Sequence, residues 1–279
     1  MIIPLVAAIS GAISLILSKK LLSEKIDYRL FASFGMIQLF FIMLFVSPIM
    51  FDVKASMFTV TSILLLVLVG VIAAAYNLFF YHGLSEDTLV DAESVIMISP
   101  LLTTLLSVVF FVDERNLLII IPAIAAGGAL IFSHIRKHHL IFSKGDEYLL
   151  LSLGLVAIEA LFIKLLLRSF MPFSAYFLRV AIVAFILWVI VRPQFTRLSF
   201  KTITKMAIFN VFVLISFVLV YSSYKIHGVV YTTLIMTLLP VMVISWAFIV
   251  DREKLQLRKF IAIAVILLSI FAVQFLLGK

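Results

Sequence analysis

Residues 229–253 read VVYTTLIMTLLPVMVISWAFIVDRE. The stretch contains no charged side chain as far as Val250, and then it ends abruptly on Asp251. As an α-helix its apolar part would be about 30 Å long, which matches the hydrocarbon thickness of a bilayer. Pro240 lies inside it, as prolines do more often in membrane helices than in soluble ones. The stretch therefore predicts a transmembrane helix with a polar end.

A second stretch, residues 90–115, repeats this plan as VDAESVIMISPLLTTLLSVVFFVDER. When Tyr81 is set on Tyr221, Pro100 falls on Pro240. Few residues are identical between the two halves of the chain, but their order and spacing agree. We interpret this agreement as an internal duplication, with residues 1–140 as the first copy and residues 141–279 as the second.

Ten stretches are apolar enough to cross a bilayer. They are residues 2–18, 30–51, 58–81, 89–112, 117–133, 149–167, 173–191, 206–224, 229–250 and 260–277. Helix is the expected state, because unpaired backbone groups are costly in lipid and because the alternation typical of barrel strands is missing. Each half holds an odd number of spans, so the second copy must cross the membrane upside down. The sequence predicts an all-α membrane protein with ten transmembrane helices, arranged as two inverted five-helix repeats.

Composition agrees with a membrane protein, since 65% of the 279 residues are hydrophobic and only 13% are charged. A soluble domain of this size cannot hide that much apolar surface from water. Cysteine is absent, which excludes disulfides, thiolate metal ligands and a catalytic cysteine. The net charge of +8 lies in short clusters between apolar runs, which suits lipid headgroups and not nucleic acid. No common catalytic motif is present, so an enzyme is not expected, and neither a metal site nor a cofactor is predicted.

Basic residues also bear on orientation. Most Lys and Arg residues follow the odd-numbered spans, whereas the loops after even-numbered spans and the C-terminus hold only Lys54, Arg115, Arg168, Lys225 and Lys279. Since positive loops stay in the cytoplasm, this count places both termini outside it. We favour this orientation over the opposite one, in which both termini lie in the cytoplasm.

The two matched stretches resemble the ten-span, EamA-like branch of the drug/metabolite transporter superfamily. The resemblance rests on Ile98-Ser99-Pro100 to Asp113-Glu114-Arg115, and on Leu238-Leu239-Pro240 to Asp251-Arg252-Glu253. Both look like the family's proline in the fourth span followed by an acidic end. Lys19 and Lys164 match the family's lysine at the end of the first span of each half. Arg179 matches the family's arginine early in the second span. The tryptophan-glycine pair often seen in the family's first span is missing.

Glu159 is the most unusual residue, because it lies near the middle of the sixth predicted span. A carboxylate at that depth must be protonated, be paired, or face a wet cavity. Arg179 lies at a similar depth on the next span, so the two can form an ion pair. We expect both to face a cavity between the halves, where they bind substrate or a coupling proton. The alternative is a purely structural pair.

Six further residues are candidates for binding substrate or protons: Lys164, Asn77, Tyr81, Asn210, Tyr221 and Gln38. Each is a polar or charged group within a predicted span, where it can line a cavity, and Lys164 lies about one turn from the end of its span. Their structural alternatives are interhelical hydrogen bonds for the amides, interfacial anchoring for the tyrosines and extension of Lys164 to the membrane surface.

Inverted repeats with a site between them are a recurring plan of secondary transporters. The resemblance implies the same activity, on metabolites or drugs. We therefore expect a multi-pass protein of a prokaryotic plasma membrane that moves, and most plausibly exports, a small polar or amphipathic metabolite. Its expected partners are that substrate and membrane lipid, with protons as the candidate coupling ion. The alternatives are a flippase for a lipid-linked sugar and a non-transporting intramembrane enzyme or scaffold.

Overall fold

A computed structural model describes residues 2–24, 26–86, 95–96, 98–134, 144–194, 198–250 and 257–277. Regular secondary structure in these ranges is entirely helical, which confirms the all-α class for the described part of the chain. The helices are α1 (Ile2–Ser23), α2 (Tyr28–Met50), α3 (Val60–Glu86), α4 (Ser99–Phe110), α5 (Leu117–His134), α6 (Lys144–Leu166), α7 (Pro172–Val191), α8 (Phe200–His227), α9 (Val229–Met236), α10 (Leu238–Val250) and α11 (Leu257–Leu277). Short 3₁₀ turns lie at Ala55–Met57 and Val112–Glu114.

Seven of the described segments are long and apolar enough to cross a membrane: α1, α2, α3, α6, α7, α8, and α9 with α10 taken together. Three shorter apolar helices lie at Ser99–Phe110, Leu117–Phe132 and Phe260–Leu276. Many large apolar side chains on these helices are exposed, among them Phe45 and Ile49, which are 87% and 89% exposed. A surface of this kind requires lipid, so the protein is an integral, multi-pass membrane protein.

Several helices continue beyond the apolar stretches that predict them. The connection expected from residue 134 to residue 147 is shorter than predicted, because α6 already begins at Lys144. Its first turn holds Asp146 and Glu147, and acidic side chains favour the positive end of a helix dipole. Hydropathy alone missed this polar turn. The acidic end predicted at Asp251–Glu253 lies outside the described residues.

The single helix predicted over residues 229–250 is wrong in one respect, because it is broken at Thr237 into α9 and α10. Pro240 has no N–H to donate to the carbonyl group of Met236, so an unbroken helix is disfavoured at this point. The Thr237 hydroxyl donates instead to the carbonyl oxygen of Leu234 at 2.6 Å, and its backbone N–H donates to the same oxygen. The break therefore keeps its polar groups bonded.

Helix packing follows a pattern that maps onto itself when the two halves are exchanged. Exchange of the halves maps α1 onto α6, α2 onto α7 and α3 onto α8. The contact between α1 and α8 then corresponds to the contact between α6 and α3, and the contact between α2 and α3 corresponds to that between α7 and α8. The contact between α2 and α8 likewise corresponds to that between α7 and α3. Two further contacts, α2 with α7 and α5 with α11, each join a helix to its own counterpart in the other half. Both halves therefore contribute helices to one shared interior.

Close packing of α3 against α6 depends on Gly83. A Cβ atom at this position would lie 2.6 Å from the backbone oxygen of Gly145 and 2.6 Å from Cγ of Leu149. We expect Gly83→Ala to push α3 and α6 apart and to destabilise the protein by about 1–3 kcal/mol, the usual cost of overpacking. The thermal unfolding midpoint of the purified protein in detergent measures this effect.

Gly154, on α6 itself, provides the matched control. A Cβ atom there would meet nothing within 4 Å. Gly154→Ala should therefore leave the midpoint unchanged or raise it slightly, because alanine is the better helix former. Equal midpoints for the two variants would contradict a tight α3–α6 contact at Gly83.

Candidate functional site

A cavity of about 290 Å³ lies between the two halves. Its wall includes residues of α1 to α4 on one side and of α6 to α10 on the other. Most of the lining is apolar or aromatic, and it includes Pro100 and Pro240, the two prolines that the predicted duplication matches. Pro100 lies in the first turn of α4, where a proline costs no helical hydrogen bond, and Pro240 follows the break at Thr237. A helix begins close to each of these prolines.

Glu159 and Arg179 meet on the wall of this cavity. The Arg179 Nε donates to Glu159 Oε1 at 2.6 Å, and one of its terminal nitrogens donates to Oε2 at 3.3 Å. Glu159 is 2% exposed and Arg179 is 1% exposed. The two residues predicted as a pair from their depth are therefore bonded to each other with fork-like geometry. Two bonds between charged groups hold the carboxylate where lipid cannot reach it.

Aromatic rings surround the guanidinium group of Arg179. Its central carbon lies 5.5 Å from the ring centroids of Tyr76 and Phe217, and 5.6 Å from that of Tyr176. Arg179 also donates to the Tyr76 hydroxyl at 2.5 Å. Ring faces carry partial negative charge and attract cations, so these rings hold the guanidinium group in addition to Glu159.

Two further cavity tyrosines have buried hydroxyl groups that find no hydrogen-bond partner among the described residues. They are Tyr176, on α7, and Tyr221, on α8. Their rings contact each other edge to face, with centroids 5.4 Å apart. Tyr221 was predicted as a candidate from the sequence, whereas Tyr176 was not, because a tyrosine near the start of a span is normally expected at the membrane surface.

Two more predicted candidates line the cavity. Tyr81 packs edge to face on Phe31, with centroids 4.9 Å apart. Asn77 donates from its side chain to the carbonyl oxygen of Ala73, one turn earlier on α3, at 2.8 Å. Both residues belong to α3, and so does Tyr76. One face of α3 thus supplies three polar side chains to the cavity wall.

Gln38 and Asn210 lie away from the cavity wall. The Asn210 side chain donates to Gln38 Oε1 at 2.9 Å and to the carbonyl oxygen of Gly35 at 3.1 Å. Gln38 in turn donates to the carbonyl oxygen of Ile203 at 3.1 Å. These bonds join α2 to α8, which matches the structural alternative given for both amides. Their predicted part in binding has no support in this geometry.

Lys164 also lies outside the cavity wall, but in a second charged cluster. Its Nζ donates to Asp113 Oδ2 and to Glu114 Oε1, both at 2.5 Å, and lies 4.5 Å from the Phe111 ring centroid. Its side chain is only 11% exposed, so it does not extend freely to the membrane surface. The hydrogen bond from Lys164 lowers the pKa of the Asp113 carboxyl, which therefore stays ionised at neutral pH.

Glu114 reaches a third element, the start of α9. Its Oε1 accepts from the backbone N–H of Val229 at 2.7 Å, and its Oε2 accepts from that of Val230 at 3.1 Å. Negative charge is favourable at a helix N-terminus, where the first N–H groups lack partners within the helix. We call this set the Glu114 bridge: Asp113 and Glu114 from the first half, with Lys164 and the start of α9 from the second.

Gly228, just before α9, allows the Glu114 carboxylate to approach. Its φ is +86°, a left-handed conformation that side chains other than glycine rarely adopt. A Cβ atom there would lie 2.8 Å from both carboxylate oxygens of Glu114. Glu114 and Gly228 are functional candidates that the sequence did not single out. The one available signal was the acidic end of the repeated motif, Asp113-Glu114-Arg115.

Among the described residues, no group of three or more His, Asp or Glu side chains could hold a metal ion. The polar part of the described cavity wall consists of one ion pair, uncharged polar groups and aromatic rings. Such a site can bind and release a small molecule through hydrogen bonds and ring contacts.

Comparisons with known proteins bear on the fold and on the family. No curated protein matches the chain, but 26 chains of solved structures do. One of them, described as "Crystal structure of protein", aligns over 99% of this chain and 96% of its own with a TM-score of 0.75 and 14% sequence identity. At that identity the match shows a shared fold alone. Residues 143–275 match the model of the EamA-like transporter family. The resemblance noted in the sequence is thereby confirmed for residues 143–275, the part of the chain that matches this family's model.

Proposed function

We propose that this chain is a secondary transporter that moves a small polar or amphipathic metabolite by alternating access. The observation that carries the proposal is the cavity between the halves, on whose wall the Glu159–Arg179 pair lies. A charged pair buried at membrane depth is costly to maintain and typically marks a path for substrate or ions. The match to a transporter family supports the same class of activity.

The proposed architecture is ten spans in two inverted halves, residues 1–140 and 141–279. Supporting it are the helix contacts that recur when the halves are exchanged, and the two prolines at equivalent places on the cavity wall. Alternating access then arises when one half rocks against the other around the central site. We place the protein in a prokaryotic plasma membrane and propose export as the direction of transport.

In the proposed mechanism, substrate or a proton competes with the bond between Glu159 and Arg179. A ligand can shift a conformational equilibrium only if it binds one state better than the other. Both ends of the pair line the cavity, so a ligand group inserted there changes their bonding directly. The pair can thereby link occupancy of the cavity to the relative position of α6 and α7 against the first half.

A two-stage transport assay tests the proposal. Labelled metabolites are first screened for efflux from cells that overproduce the chain and from cells that lack it. The compounds that differ are then tested with the purified full-length protein in liposomes. We expect at least one small amphipathic compound to cross faster than it crosses protein-free liposomes, and unlabelled compound to compete with it.

The same liposomes, loaded with a fluorescent lipid, distinguish the rival functions. Faster lipid exchange without solute movement would indicate that the protein is a flippase and not a solute transporter. Absence of both activities in liposomes, with protein that is still folded, would point to an enzyme or a scaffold. Either result refutes the proposed function.

A further inference from the structure

The hydroxyl groups of Tyr176 and Tyr221 are buried and make no hydrogen bond to any described residue of the chain. Both residues are almost fully buried, and both line the cavity. A buried polar group without a partner costs free energy that a folded protein normally avoids. The cost is recovered when a ligand supplies the missing hydrogen bond. Two such hydroxyl groups on one wall indicate a ligand with an uncharged hydrogen-bonding group.

The charges on the wall argue against a ligand with a net charge. Among the described lining residues the charged ones are Glu159 and Arg179, and they neutralise each other. An anion would compete with Glu159 for Arg179, and a cation would compete with Arg179 for Glu159. In either case one buried charge would be left without its partner, which is strongly unfavourable in a membrane interior.

Aromatic rings add a preference for a flat, apolar body. The cavity wall includes Tyr76, Phe80, Tyr176, Phe217, Tyr221 and Tyr224. The rings nearest Arg179 already face its guanidinium group at about 5.5 Å, so they are poorly placed to attract a second cation. Edge-to-face or offset contact with an uncharged ring remains favourable.

We propose that the cavity takes an uncharged amphipathic molecule with a planar apolar body and one neutral group that donates and accepts hydrogen bonds. An amide or a hydroxyl group fits this description. Tyr176 and Tyr221 bond that group and determine specificity for it. The inference rests on the proposed function in that it treats this cavity as the transporter's substrate site. Of the two competitors proposed for the Glu159–Arg179 bond, it keeps the proton, because an uncharged substrate leaves that bond in place.

Three molecules of nearly equal shape test the charge preference: benzamide, benzoate and benzamidinium. They share one ring and carry a neutral, a negative and a positive group. Equilibrium dialysis of each labelled compound against the purified full-length protein in detergent measures its affinity. We expect benzamide to bind at least about tenfold more tightly than either ion, because only the ions leave a buried charge unpaired.

Two variants test the hydroxyl groups. Tyr176→Phe and Tyr221→Phe should each weaken benzamide binding by about threefold to tenfold, the worth of one neutral hydrogen bond. Thermal stability should stay the same or rise, since each change removes an unpaired buried group. Tyr148→Phe is the matched control, because Tyr148 stacks on His82 outside the cavity lining. Its benzamide affinity should equal that of the unchanged protein.

Several results would overturn the inference. Benzamide that does not bind, or that binds no better than an ion, refutes the ligand class. Unchanged affinity in both phenylalanine variants refutes the role of the hydroxyl groups. Failure of the proposed function is distinguishable, since it is measured by solute movement in liposomes. If the protein transports ions, only the proposed ligand class is wrong. If it binds benzamide but moves no solute, only the proposed transport function is wrong.

Discussion

Glu159→Gln is expected to destabilise the protein by about 3–5 kcal/mol, because it leaves the Arg179 guanidinium group buried without its carboxylate. Arg179 is 1% exposed and cannot lose its proton to escape the cost. The hydrogen bond to the Tyr76 hydroxyl and the contacts with the surrounding rings offset only part of the cost of the unpaired charge. Arg179→Gln should be less damaging, since a carboxylate deprived of its partner can take up a proton. The folded yield and the thermal unfolding midpoint in detergent measure both effects.

The double variant Glu159→Gln/Arg179→Gln completes the cycle. It buries two neutral amides that can bond to each other, so its stability should exceed that of the Glu159→Gln variant. Transport should nevertheless be lost, because the charge pair with which substrate or a proton competes has gone. A double variant that recovers both yield and transport would make the pair purely structural. Single variants that fold and transport normally would refute the mechanism altogether.

The sequence was sufficient to predict the Glu159–Arg179 pair for a definite physical reason. Charges are so unfavourable in lipid that two of opposite sign, at similar depth on consecutive spans, have few alternatives to meeting each other. The helices themselves were predictable for a related reason, since apolar runs of this length have one stable form in a bilayer. Hydropathy and backbone hydrogen bonding therefore account for most of the fold.

Other parts of the site depend on geometry that one sequence does not contain. Tyr176 resembles an interfacial anchor until the rotation of α7 is known, and that rotation depends on packing against α2, α3 and α8. The partner of Lys164 lies 50 residues away at Glu114, and the sequence offers several other carboxylates. The break at Thr237 is a third case, because prolines often lie within continuous membrane helices.

Linking the two sides of the Glu114 bridge is expected to abolish transport. The bridge joins the end of α4 in the first half to α6 and α9 in the second half. The bridge lies where helices end, because Glu114 follows α4, Lys164 is in the last turn of α6 and Val229 begins α9. Ile163, next to Lys164 in the sequence, and Thr233, one turn after Val229, belong to the cavity wall. If the halves rock against each other, these helix ends can separate only when the bridge breaks. A covalent link in place of the bridge should therefore hold the transporter in one conformational state.

The chain has no cysteine, so an introduced pair reacts without competition. In an Asp113→Cys/Lys164→Cys variant, a short bis-thiosulfonate reagent can span the gap that the shortened side chains leave. Transport in liposomes should stop after treatment and recover after a reductant cleaves the link. A His82→Cys/Glu86→Cys variant is the control, since these residues lie one turn apart on α3 and their link constrains no movement between the halves. Transport that continues in the fully linked Asp113→Cys/Lys164→Cys variant would show that the bridge end stays closed throughout the cycle. The halves would then have to move by another route, because a gate that never opens cannot alternate access.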